Sequence, residues 1–345
     1  METVMPYKKY LHICLFIVLV QQSGLPAWSQ KLSFITSPVN RVAAGAVFRY
    51  TFSAVDSAGQ AITYSCAGLP AWIRFDKKTN TITGVAKKPG QFLIHLRAAT
   101  SDTVARQDFM LTVYDKKTVN ILPIGNSITN GTSSYNSYRR SLWQLLHKGG
   151  YNFDMVGSWS LHHMGGPVPD PDFDMDHDGH SGWKASDILQ PPDWDKQRGN
   201  IDAWLGSYTP DIVLMELGTN EVFQCTGAAL AMTDIATIID KLRKKNAAVK
   251  ILLAQIPPLG NQWAPKKLCG TDTAYEQAVL LFNKAIVEFA HTKTSARSPV
   301  IIVDQFTGID PATDMYDDIH PNVNGEIKMA ERWYNAVKPF LKKLK

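Results

Sequence analysis

Val119-Asn120-Ile121-Leu122-Pro123-Ile124-Gly125, followed by Asn126-Ser127-Ile128-Thr129, decides the reading of this chain. Six residues of mostly apolar, β-favouring character stop at a glycine, and a serine follows two positions later. Beyond it Tyr138, Leu142, Leu145 and Leu146 fall at i, i+4, i+7 and i+8, one face of a helix. The same change of period recurs downstream. Asp154-Met155-Val156, Asp211 to Leu217, Val249 to Ile256 and Val300 to Val303 read as strands. Helical patterns fill roughly 228–245, 274–291 and 322–343, the last with Ile327, Ala330, Trp333, Val337 and Leu341 expected on its inner side. Alternating strands and helices predict an α/β domain with a five-stranded, mostly parallel sheet. Ligands of such sheets bind beyond the carboxyl ends of the strands, so the loops there are where chemistry is sought.

Upstream of this stretch the pattern is different. Val47 to Ser53, Phe92 to Leu96 and Phe109 to Val113 are short aromatic and β-branched runs, separated by turn signals such as Lys77-Lys78-Thr79-Asn80 and Pro89-Gly90. These predict an all-β sandwich over residues 30–115, joined by only Asp115-Lys116-Lys117 to an α/β domain over 116–345. So short a linker predicts a fixed arrangement of the two. Residues 1–29 read as an export signal: Lys8 and Lys9 precede ten apolar residues, Leu11 to Val20, too few to span a bilayer, and Ala27-Trp28-Ser29 supplies the small residues of a cleavage site. Cleavage is expected after Ser29, with delivery to the periplasm, cell surface or medium, and no transmembrane segment in the mature chain.

Composition narrows the classes. The 345 residues are 45% hydrophobic with nine Trp, twelve Tyr and fourteen Phe, which excludes disorder as the main state. The net charge of +5 divides unevenly: +1 in residues 1–29, +5 in 30–115 and −1 in 116–345. The α/β domain therefore has no basic footprint for nucleic acid. Cys66, Cys225 and Cys269 match no zinc spacing. Cys225 and Cys269 follow the third and fourth strands and are expected to pair as a disulfide at the rim of the site, leaving Cys66 as a free thiol. Asp174-x-Asp176-x-Asp178-Gly179 matches the opening of a calcium loop, but Ala185 stands where a bidentate Glu belongs. A solvated or capping acidic loop is expected instead, with no metal and no cofactor.

Four strand-end loops carry candidate chemistry. Gly125-Asn126-Ser127-Ile128-Thr129 exposes a serine that can act as a nucleophile if a base reaches it. Gly179-His180-Ser181-Gly182-Trp183 offers a backbone N–H at a glycine. Gly218-Thr219-Asn220-Glu221 offers a side-chain amide donor. Asp317-Asp318-Ile319-His320-Pro321 offers a histidine with a carboxylate three residues earlier to hold its tautomer.

Together, in this order, the four loops resemble the blocks of the SGNH branch of the GDSL-like hydrolases, over about residues 118–345. The resemblance implies a three-layer α/β/α sandwich and a serine esterase: Ser127 the nucleophile, His320 the base, Asp317 its orienter, and Ser127 N–H, Gly179 N–H and the Asn220 side chain the oxyanion donors. Asn126 and Glu221 depart from the Asp that many members carry at those positions. Tyr138-Arg139-Arg140 through Trp143, Gly150 to Ser158, and Gly179 to Trp183 look most like the carbohydrate-esterase members, near the acetylxylan-esterase-like group. That resemblance implies an acylated carbohydrate substrate, with His180 and Trp183 as substrate-binding residues and Trp183 offering a flat face to a sugar. An SGNH lipase, lysophospholipase or short-chain esterase is the alternative, and a non-catalytic glycan-binding protein a third. Gly68 to Asp76 and Thr81 to Gly84 resemble the Ig or cadherin-like modules of exported bacterial proteins, which names a fold for the first domain and no activity.

Overall fold

The computed structural model describes residues 31–166, 168–260 and 275–344. The first domain is a β-sandwich. One sheet orders the strands Arg41–Ala43, Val104–Tyr114, Gly90–Ala99 and Thr63–Ala67; the other orders Val47–Thr51, Thr81–Val85 and Ile73–Asp76; Leu32–Phe34 and Ala54–Asp56 form a separate pair. Val47–Thr51 alternates exposed and buried residues, as a strand with one wet face must. Phe48, Tyr50, Phe52, Ile82, Ile94 and Leu111 fill the space between the sheets.

The second domain holds a parallel sheet in the order Phe153–Met155, Val119–Gly125, Ile212–Glu216, Lys250–Ala254, Val300–Val303. A two-residue strand, Asp178–Gly179, extends the carboxyl end of the first of these, pairing Gly179 with Gly125. Helices cover both faces. Tyr138–Lys148 and Val323–Val337 pack on one side with Ile121, Leu214 and Leu252. Ala228–Lys245 and Tyr275–Lys293 pack on the other with Leu122, Val213 and Ile251. The sheet residues of Ile212–Glu216 are buried on both faces, the signature of a covered parallel sheet.

The last helix differs from its sequence reading. It ends at Val337, with a 3-10 turn over Lys338–Phe340, because Pro339 has no N–H to continue the ladder. Its inner face is Glu326, Met329, Ala330, Trp333 and Val337. Ile327 is on the exposed side, and Leu341 lies past the helix.

The domains meet in a polar and apolar seam. Met110 of the sandwich joins the core of the sheet domain. Arg41 pairs with Asp154 at 2.9 Å, and Asn40 donates to both oxygens of Asp176 at 2.9 and 2.8 Å. Of the two alternatives expected, solvated or capping, the acidic segment is a capping one, packed against the sandwich. Asp174 accepts from Met155 N and Thr112 Oγ1, and Asp178 accepts from Ser158 and Tyr208. Burial against the sandwich, reinforced by Asp176 and Asp154, holds the Asp174 carboxyl well above the usual range.

Candidate active site

The strand Val119–Gly125 delivers Ser127 to the carboxyl edge of the sheet. Gly125 is required there: a Cβ would lie 2.5 Å from both Glu216 O and Thr129 Oγ1. Asn126 then caps the short helix Ser127–Asn130 by accepting from Ile128 N at 2.8 Å, so an Asp is not needed at this position. Ser127 is thereby the first helical residue. Its N–H has no intrahelical acceptor, and among the described residues it donates to no protein group.

His320 comes from the loop before the last helix. Its Nδ1 is 2.8 Å from Asp317 Oδ2 and its Nε2 is 2.9 Å from Ser127 Oγ. The other Asp317 oxygen accepts from the backbone N–H groups of Ile319 and His320, both at 2.7 Å. Burial pushes the Asp317 carboxyl up, but the bonds from His320 and the two amides outweigh it and leave it below the usual range. Tyr135 stacks on the imidazole, 5.3 Å between ring centres. Asp318, the next residue after Asp317, is turned toward Gly260.

Asn220 lies in the helix Thr219–Phe223 that follows the strand Ile212–Glu216. Its Nδ2 donates to Trp183 O at 2.8 Å, which orients the amide and leaves its second N–H for a ligand. Glu221 accepts from Ala185 N at 2.6 Å and so caps the helix Ala185–Leu189, using the reach of its extra methylene.

Three expected site residues have other tasks. The Gly179 N–H donates to His177 Nδ1 at 2.9 Å, while His177 Nε2 faces Leu161 O, so this amide is already committed. Gly179 is a packing position: a Cβ would lie 2.7 Å from Asn130 N. Trp183, expected to face a sugar, is fully buried, with Nε1 bonded to Asp195. His180 stacks against both Trp183 and Trp204, 4.2 and 4.8 Å between ring centres, and the two indoles lie 6.1 Å from each other. Burial pushes its pKa down to about 3, so it is a neutral ring in a stack. An aromatic cluster of this size gains more from burial than from exposure at a rim. Cys225 is disulfide-bonded; Cys269, its expected partner, lies outside the described residues. Cys66 is free.

Other residues around the site were given no role by the sequence. Arg139 is buried and donates to Thr129 O, Asn130 O and Met175 O at 2.7, 3.0 and 2.7 Å. Asn130 accepts from His163 N and Ser181 Oγ and donates to Gly179 O, fastening two loops to the serine helix. Glu216, at the end of the central strand, is fully buried beneath that helix, and burial pushes its carboxyl up to about 8. Between about pH 4.5 and 8 the folded chain thus holds a proton that the unfolded chain releases, so this group's contribution to stability falls as pH rises through that window. Asp176, Asp178 and Glu326 are raised by burial too, to about 7, 6 and 7. Thermal midpoints should therefore decline from pH 5 to pH 8, and less steeply in Glu216→Gln; an unaltered slope in that variant would remove Glu216 from this account.

Comparison with known proteins agrees with this geometry. An Ig-domain family model matches residues 32–114. A multidomain esterase of Ruminococcus flavefaciens is 30% identical over 240 residues, 65% of this chain, and the chain spans only 29% of that protein's length. A family 3 carbohydrate esterase from Talaromyces cellulolyticus is similar in structure, with 28% identity, a TM-score of 0.52, and 64% of this chain and 97% of that one covered. A family 3 carbohydrate esterase from Clostridium thermocellum gives 27%, 0.51, 65% and 97%, and a mutant acetyl esterase with an acetate ion gives 27%, 0.52, 64% and 97%. The family model of the GDSL-like lipases and acylhydrolases matches residues 124–326, more than half of the sequence, with Ser127 near its start and Asp317 and His320 near its end: the chain belongs to the GDSL-like lipase/acylhydrolase family.

Proposed function

We propose that the protein is an exported serine esterase that removes acyl groups, acetyl above all, from polysaccharide or oligosaccharide. One observation carries the mechanism: a single imidazole bridges Asp317 and Ser127 at hydrogen-bond distance on both sides. Asp317 accepts the Nδ1 proton and fixes the tautomer, leaving Nε2 to take the proton of Ser127 as Oγ attacks the ester carbonyl. The developing oxyanion is received by the Ser127 N–H and the free N–H of Asn220. His320 returns its proton to the departing sugar hydroxyl. It then activates the water that releases the acid from Ser127.

The carbohydrate part of the reading is supported by the family 3 carbohydrate esterases and the acetyl esterase among the similar structures. A substrate panel tests it: acetate release from acetylated xylan, pectin and other glycans should exceed hydrolysis of octanoyl esters. The reverse order would favour a lipase or short-chain esterase, and no turnover on either would favour a binding protein. Export rests on residues 1–29, and N-terminal sequencing of the protein recovered outside the cytoplasm should begin at Gln30. A chain that retains its first residues there overturns cleavage after Ser29.

A further inference from the structure

Two large aromatic side chains near the site are mostly exposed. Trp194 is 61% exposed and Tyr316 63%. Single exposed apolar residues are ordinary, but these two border the two halves of the site: Trp194 lies against Gly182, and Tyr316 is bonded to His320 through the backbone.

Trp194 sits on the 3-10 turn Asp193–Arg198. The next residue, Asp195, is buried and accepts from Trp183 Nε1, Gln197 Nε2 and Arg198 Nε at 3.2, 2.7 and 3.3 Å. Arg198 in turn lies over the Trp159 ring at 3.7 Å. The indole borders Gly182, where a Cβ would lie 3.9 Å from Trp194 Cη2. Gly182 precedes Trp183, whose carbonyl orients the Asn220 amide. Trp194 is therefore on the oxyanion side. Tyr316 is on the base side: its N–H donates to His320 O at 2.7 Å, and its ring lies 6.2 Å from Tyr135, which stacks on His320.

We propose that Trp194 and Tyr316 are the two walls of an open saccharide cleft. The acylated sugar sits between them, and the chain runs past Ser127 in both directions. The inference rests on the carbohydrate reading above. Pyranose rings present C–H faces that lie well on aromatic rings, and a rigid ring gives contact area at little entropic cost. Walls on both sides favour an internal sugar residue over a chain end.

The test is the ratio of kcat/KM on acetylated oligosaccharides to kcat/KM on p-nitrophenyl acetate. In the wild type this ratio should rise with oligosaccharide length. Trp194→Ala and Tyr316→Ala should each lower it three- to tenfold, roughly the worth of one aromatic contact, chiefly through KM. Trp194→Phe should recover part of the loss. Both side chains are exposed, so the variants should fold. An unchanged ratio, with the wild type active on sugar esters, overturns the walls and leaves the carbohydrate reading standing. A wild type that cleaves p-nitrophenyl acetate but no acetylated saccharide overturns both. A loss confined to medium-chain esters would make the rings an acyl site and overturn the saccharide cleft.

Discussion

Ser127→Ala should lower kcat/KM on acetylated substrates by roughly 10⁴- to 10⁶-fold, the range seen when the nucleophile of a serine triad is removed. The side-chain oxygen makes its hydrogen bond to His320 Nε2, and His320 keeps its bond to Asp317 without it. The variant should therefore fold with a thermal midpoint close to that of the wild type, which separates lost chemistry from lost structure. His320→Ala added to Ser127→Ala should cost little more, because the two act as one unit. Asn220→Ala should fall between, at about 10²- to 10³-fold, the usual loss for one oxyanion donor. Initial rates of acetate release read all three. Substantial turnover by the Ser127 variant would end the proposed mechanism.

The second large effect is on stability. Arg139→Met should destabilise the fold by about 3–5 kcal/mol, because it strands two buried carbonyl oxygens and a third that is half-buried, each costing about 1–3 kcal/mol when unsatisfied. The partners are Thr129 O, Asn130 O and Met175 O, and Thr129 and Asn130 belong to the helix that begins with Ser127. Activity should fall as well, through displacement of the nucleophile. Arg139→Lys should recover only part of the loss, since an ammonium lacks the planar fork that reaches three carbonyls. Urea unfolding at constant m-value measures the change. A shift below about 1 kcal/mol would show that water replaces the guanidinium.

The α/β order, the strands and the two longer helices on one face of the sheet were legible because burial imposes a period on the sequence, and the parallel sheet imposes the strand–helix alternation. Ser127, Asp317 and His320 were legible for a related reason. Each lies at a strand or helix end, where a short local motif decides its placement, and Asp317 reaches His320 within three residues. Arg139 and Glu216 were not. Arg139 reads as a charged residue in an amphipathic helix and Glu216 as a strand-end carboxylate, and only the packing of distant loops over them shows that they are buried. Gly179, His180 and Trp183 failed in the opposite direction. Their sequence spacing places them beside the site, but their roles depend on His177, Asp195 and Trp204, whose approach no local pattern encodes.

By itself the sequence determined the alternation that makes the second domain, the aromatic sandwich before it, and the local motifs that carry Ser127, Asp317 and His320, which the fold joins by hydrogen bonds. The tertiary structure alone decided which way the aromatic and acidic residues between strands turn. Trp183 went inward because Asp195 offered its indole N–H a buried partner. Trp194 stayed outward on a turn pinned by that same carboxylate. Asp178 was buried, and Asp176 half-buried, because Ser158 and Tyr208 could satisfy the one and Asn40 the other. Burying a polar group is tolerated only when a partner arrives from elsewhere in the chain, and the arrival of partners is a property of the folded molecule.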